Sequence, residues 1–242
     1  MKKRIYLLLL SIIVIFSACR DNSGKFVEQR FTDQQITFAL RDCIEFCSDS
    51  TLNTLCVMDT TEFKDGYYYH ELGVYCIEFP ATTQAMVDTL ILYEYKEVID
   101  SLIFNINKAA TLCGNKMKSQ FWNPIIKDII FPNPNMVLHG GNTAITDYIK
   151  QTKQTELVSL LVYSVLNEQF NSLQVVEKWN ELQATYSALT GSYFSIDILT
   201  PAAQQMVEGF FKKMASVEVA VRKDPALRGK SDGWFNSVFE TQ

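Results

Sequence analysis

Between Thr200-Pro201 and Asp224-Pro225 the chain places Ala203, Met206, Val207, Phe210, Phe211, Met214, Val217 and Val221 three or four residues apart. That spacing paints one face of an α-helix, and an apolar face of this length must be buried against other helices or a sheet. Proline in the first turn and Asp-Pro at the end are start and stop signals. The rest of the chain repeats this pattern and offers almost no period-two alternation. The expected class is therefore all-α, a bundle of about six to eight helices with little or no sheet. Long helices are expected near 33–58, 82–113, 155–189 and 201–223. The run Leu157 to Leu166 is apolar nearly all round and is expected in the centre of the bundle. Asp65-Gly66 marks a turn, and Val74 to Phe79 reads as extended backbone too short for a sheet of its own.

The first residues carry a different message. Lys2, Lys3 and Arg4 precede an apolar run from Ile5 to Phe16, and small Ser17 and Ala18 precede Cys19. This is the layout of a cleavable leader, and the run is short of the roughly 20 residues that span a bilayer. Phe16-Ser17-Ala18-Cys19 resembles the lipobox of bacterial lipoproteins, which implies a diacylglyceryl group on the Cys19 thiol. Acyl chains contribute about 0.8 kcal/mol per buried methylene, enough together for a stable anchor. Residues 1–18 then form the signal peptide, 19–30 a tether, and 31–242 a single helical domain. By resemblance to enterobacterial lipoprotein sorting, Arg20, standing where an aspartate would mark inner-membrane retention, implies the outer membrane. The expected location is therefore the cell envelope, lipid-anchored at the outer membrane and facing the periplasm.

Lys2, Lys3 and Arg4 are the only charged residues of the leader. Of the 22 Lys and Arg and the 27 Asp and Glu, 19 basic and 27 acidic residues thus remain, a net charge of −8. That balance argues against a nucleic-acid partner and against an anionic lipid surface. The membrane is contacted through the anchor alone, and any further partner is an unidentified protein or small molecule.

Beyond Cys19, five cysteines remain: Cys43, Cys47, Cys56, Cys76 and Cys113. An odd number leaves at least one free thiol or one intermolecular pair. In an oxidising envelope disulfides are the default. A helix running from Cys47 to Gly66 is about 29 Å long at 1.5 Å per residue. An extended return from Gly66 to Cys76 is about 33 Å at 3.3 Å per residue. Cys76 then reaches Cys47 or Cys43 more easily than Cys56. The alternatives are a thiolate metal site and five buried, unpaired small residues.

The stretch Ala202 to Phe239 resembles the C-terminal pattern of the bacterial family called domain of unknown function 4197. The matching residues are Glu208, Gly209, Phe210, Phe211, Met214, Ala215, Glu218, Arg222, Asp224, Pro225, Ala226, Arg228, Val238 and Phe239. Asp65 to Tyr68 matches its DGYY-like turn. Asn107 to Trp122 resembles its Asn-x-Ala-Ala helix, and Leu138 to Leu157 its Leu-x-Gly-Gly-x-x-Ala-x-Thr-x-Tyr stretch. The chain departs from the pattern at Phe131 to Asn135 and at His139. The resemblance implies a secreted or lipid-anchored helical domain and supplies no activity.

Only two histidines are present, His70 and His139, and neither accompanies a nucleophile motif, HExxH or a P-loop. No catalytic residue, metal or cofactor is expected. His139 to Thr143 would offer backbone amides to an anion at a helix start, or serve as a glycine cap between two helices. Tyr67, Tyr68 and Tyr69 would stack on a sugar ring, or pack their loop on the bundle. Glu208, Glu218 and Arg222 are the best charged set. The two glutamates lie ten residues apart, about 80° around a helix. They would line one groove edge, or hold the last helix turn by ion pairs. Two functions follow. The first is a non-enzymatic binding or structural module. The alternative is a hydrolase of an envelope polymer, whose carboxyls would face each other at roughly 5–9.5 Å.

Overall fold

The computed structural model describes residues 31–56, 67, 73–228 and 233–240. Among them every regular element is a helix and no strand occurs. Asp33–Gln242 forms one compact unit. The first helix, α1, covers Asp33–Leu55 and buries Ile36, Leu40, Cys43, Ile44, Cys47 and Leu55 along one face. Asp33 lies in its first turn, where a carboxylate suits the helix dipole. α1 ends at Leu55, short of the expected Met58, with Cys56 in a turn.

The span read as one helix over 82–113 is two. After a 3₁₀ turn at Ala81–Thr83 come α2, Gln84–Leu92, and α3, Lys96–Leu112. Between them Glu94 takes a left-handed φ of 71°. This break resets the helical phase. Ile99 faces the core, while the predicted stripe residues Tyr93 and Val98 are 54% and 40% exposed. Next come α4 (Gly114–Met117), a π-helical turn at Lys118–Trp122, α5 (Asn123–Asp128) and α6 (Pro134–Leu138). Asn133 caps α6 by accepting from the Met136 amide at 3.0 Å.

The span 155–189 is also divided. α7 covers Ala144–Leu160 and runs straight through Thr155, so no helix begins at the start of that span. A π segment at Leu161–Leu166 leads into α8, Asn167–Ser172. Gln174, left-handed at φ 56°, separates α8 from α9, Val175–Thr190. The apolar run is not buried all round. Leu157, Leu161, Val165 and Leu166 face inward, whereas Tyr163 is 84% exposed.

α10, Leu199–Lys223, packs against α1 and α7. Both oxygens of Asp197 accept from its first amides, Leu199 at 3.0 Å and Thr200 at 3.0 Å. Its predicted stripe is buried except at Val217. Trp122 stacks on Phe210 with ring centres 4.5 Å apart, and Phe211 meets Phe210 edge-on at 5.8 Å. Each such buried side chain contributes roughly 1.5–3 kcal/mol. A 3₁₀ turn at Pro225–Arg228 and a last helix, α11, Trp234–Phe239, close the bundle against α1. Among the described residues no helix is long and apolar enough to cross a membrane.

Candidate functional site

The strongest polar cluster lies where α10 crosses the start of α7. Glu218 projects from α10 and is 1% exposed. Its carboxylate accepts from the amides of Ile145 at 3.1 Å and Thr146 at 2.8 Å, and from the Thr146 hydroxyl at 2.7 Å. Arg222, one turn on, donates to the same carboxylate at 2.9 Å and to the Leu138 carbonyl at 2.8 Å. Its guanidinium also sits 5.3 Å from the Phe239 ring centre. Glu218 therefore caps α7 from another helix, at the end where unpaired amides and the dipole favour an anion. The amides after the double glycine do meet an anion, and it is an internal one. Gly140 is small because a Cβ there would stand 2.9 Å from the Met136 carbonyl oxygen, and Gly141 turns at φ 120°.

Arg228 continues this arrangement. It is 4% exposed and donates to the Val221 carbonyl at 3.2 Å, tying off the end of α10. Asp224 accepts from the Ala226 amide at 2.9 Å and shapes the turn between them.

Tyr67 is fully buried and packs on the bundle, the second of its two readings, rather than offering its ring to a ligand. Its amide donates to the Leu55 carbonyl at 3.0 Å, and its hydroxyl donates to the Met206 carbonyl. Burial pushes its phenol well above the ordinary range. Its ring lies on Gly209, where a Cβ would stand 3.2 Å from it. Tyr67→Phe keeps that ring and removes one hydrogen bond, so chemical denaturation should show a loss of about 1 kcal/mol.

Two amide side chains hold the extended stretch before α2. Asn107 of α3, fully buried, accepts from the Ile77 amide at 2.8 Å and donates to the Ile77 carbonyl at 2.9 Å. Gln205 of α10 grips Glu78 in the same way, at 3.0 and 2.8 Å. The extended backbone thus finds sheet-like partners without a sheet. Asn107 carried no predicted role. Its signal was a polar residue beside Ile106, Ala109 and Ala110 on a buried face.

The paired-carboxylate geometry is not formed. Glu208 is exposed and ion-paired with Lys150 of α7 at 2.6 Å, not with Lys212 as its i,i+4 spacing suggests. Lys212 lies instead over the Tyr75 ring, 5.7 Å from its centre. Glu208 borders an open groove of about 450 Å³ between α7 and α10, together with Gln154, Thr155, Ser159 and Gln205. A second groove, about 520 Å³, runs between α3 and α9. Val98, Leu102, Leu173 and Leu182 line it, with Glu97 and Lys178 among its polar neighbours. Both left-handed breaks adjoin this groove, since Tyr95 and Gln174 line it.

All five cysteines within the bundle are free thiols in the structure. The expected bond from Cys76 to Cys47 or Cys43 is not made. Cys43 and Cys47 face each other, with sulfurs 3.9 Å apart, and are buried on α1. Cys76 directs its thiol to the Ile77 carbonyl, beside α3. The pairing presumed a straight helix to Gly66, and α1 ends at Leu55. Among the described residues no three metal-binding side chains converge. His139, at the end of α6, is exposed. Cys19, Tyr68, Tyr69 and His70 lie outside the described residues.

A family model described as a protein of unknown function (DUF4197) matches residues 30–239. No curated protein and no solved structure matches the chain.

Proposed function

The chain belongs to the DUF4197 family of proteins of unknown function, and on that premise we propose that it is an envelope lipoprotein whose helical domain is a non-enzymatic binding or structural module. One observation carries the non-enzymatic reading. The Glu218 carboxylate is buried and already accepts from two amides, a hydroxyl and Arg222. Nothing in that set remains to transfer a proton to a substrate. Arg228, Tyr67, Asn107 and Gly209 are likewise engaged in holding the fold. The binding face we assign to the groove between α3 and α9, an apolar floor beside polar side chains, as ligand sites commonly are.

The anchor rests on the leader and Cys19. Membrane fractionation and intact mass of the full chain test it. The mature protein should begin at Cys19, carry diacylglyceryl and N-acyl mass, and sediment with membranes. Cys19→Ser should lose the acyl mass and leave the membrane fraction. A Cys19→Ser protein that stays membrane-bound with its acyl mass contradicts the anchor. Purification in mild detergent, with mass spectrometry of retained molecules, tests the binding role. Retention of the same molecule across conditions is the expected result.

A further inference from the structure

We propose that Cys56 and Cys113 form a disulfide that staples the end of α1 to the end of α3. Each cysteine directly follows its helix, after Leu55 and Leu112. The backbone beside Cys113 is opened for Cys56. A Cβ on Gly114 would stand 2.3 Å from the Cys56 Cβ and 2.7 Å from its Sγ, so only glycine leaves room there. Tyr67, tied to Leu55 by its amide, closes over the same spot; both thiols act on its phenol. Cys113 lies near enough to act electrostatically on the Cys56 thiol. Burial, with Cys113 second, pushes the Cys56 thiol up to about 12, and burial pushes Cys113 up to about 12.

The other thiols are placed differently. Cys43 and Cys47 touch, but one turn of α1 separates their Cβ atoms by about 5–6 Å. A disulfide spans roughly 3.5–4.5 Å between Cβ atoms. Cys76 is turned to its neighbour's carbonyl in an open pocket with Glu78, Phe79 and Val87.

The inference rests on the envelope reading in one respect: that compartment supplies the oxidant, a protein disulfide donor. One cysteine thiolate attacks the donor disulfide, forming a mixed disulfide and releasing one donor thiolate. The second cysteine thiolate then attacks the first sulfur and expels the other donor thiolate. Two electrons pass to the donor, which leaves as a dithiol after taking up the two protons. Once buried, both thiols are held protonated, so exchange belongs to folding, while they are solvated and their pKa is about 8.5.

Peptide mapping of full-length protein from membranes, alkylated in denaturant without reduction, tests the bond. The expected result is one linked pair containing Cys56 and Cys113, with Cys43, Cys47 and Cys76 alkylated. Cys56→Ser should leave Cys113 alkylated. Full alkylation of Cys56 and Cys113, or a link from either to another cysteine, overturns the pairing. If such protein still carries acyl mass at Cys19, the envelope reading survives that failure. A second arm refolds the reduced full chain in a glutathione redox buffer. The same link should dominate there whatever the export route; its absence in chain that has regained its helical signal overturns the pairing independently.

Discussion

Replacing Glu218 with alanine is expected to remove about 3–5 kcal/mol of stability, the usual cost of breaking a buried ion pair from one side. Total stability of a domain is about 5–15 kcal/mol, so the variant should unfold at far lower urea concentration, if it folds at all. The cause is local and double. The amides of Ile145 and Thr146 lose their acceptor at the start of α7, and Arg222, only 5% exposed along its side chain, is left buried without its carboxylate. Glu218→Gln should recover only part of the loss. Its amide keeps the shape and one acceptor, but its NH₂ faces groups that are themselves donors. Urea titration followed by circular dichroism measures both variants. A Glu218→Ala protein within about 0.5 kcal/mol of wild type, the range of ordinary surface changes, would show that this carboxylate does not hold the helices together.

Asn107→Ala is the second large effect, expected at about 2–4 kcal/mol. It leaves the Ile77 amide and carbonyl without their side-chain partner, and each orphaned buried polar group costs roughly 1–3 kcal/mol. Asn107→Leu separates packing from hydrogen bonding. Leucine has the same branching and heavy-atom count but is bulkier, so a near-silent leucine variant would show that the hydrogen bonds contribute little. The hydrogen-bonding account predicts a loss close to that of alanine. The same urea titration decides between them, and a silent leucine variant would overturn the clamp.

The class of fold was legible because apolar residues repeat at helical spacing, most clearly along α10, where the predicted stripe is the buried one. The helix breaks were not. Glu94 and Gln174 are ordinary residues in helices, yet both adopt left-handed backbone, and neither Gly nor Pro marks the spot. Their conformation is imposed by packing of the flanking helices, which local propensity does not record. The charged motif was visible as residues, and its structural use was one of two readings. Its partners Ile145, Thr146 and Leu138 are distant in sequence and emerge only from the fold. Glu208 and Lys212 have the spacing of an ion pair, but Lys150 from a neighbouring helix and the Tyr75 ring take their places. The helix length behind the cysteine pairing was misjudged for a similar reason. That pairing presumed a straight helix past Leu55, and the approach of Cys56 to Gly114 depends on how α1 lies against the segment after α3.

Glu218 and Arg222 should behave as one fold-holding unit. A double-mutant cycle on Glu218 and Arg222 measures this directly, as the unfolding free energies of Glu218→Ala, Arg222→Ala and the double variant. The double variant should be about 2 kcal/mol more stable than the two single losses would sum to, a coupling in the range for contacting buried groups. Losses that add to within about 0.5 kcal/mol, or single variants as stable as wild type, would contradict it.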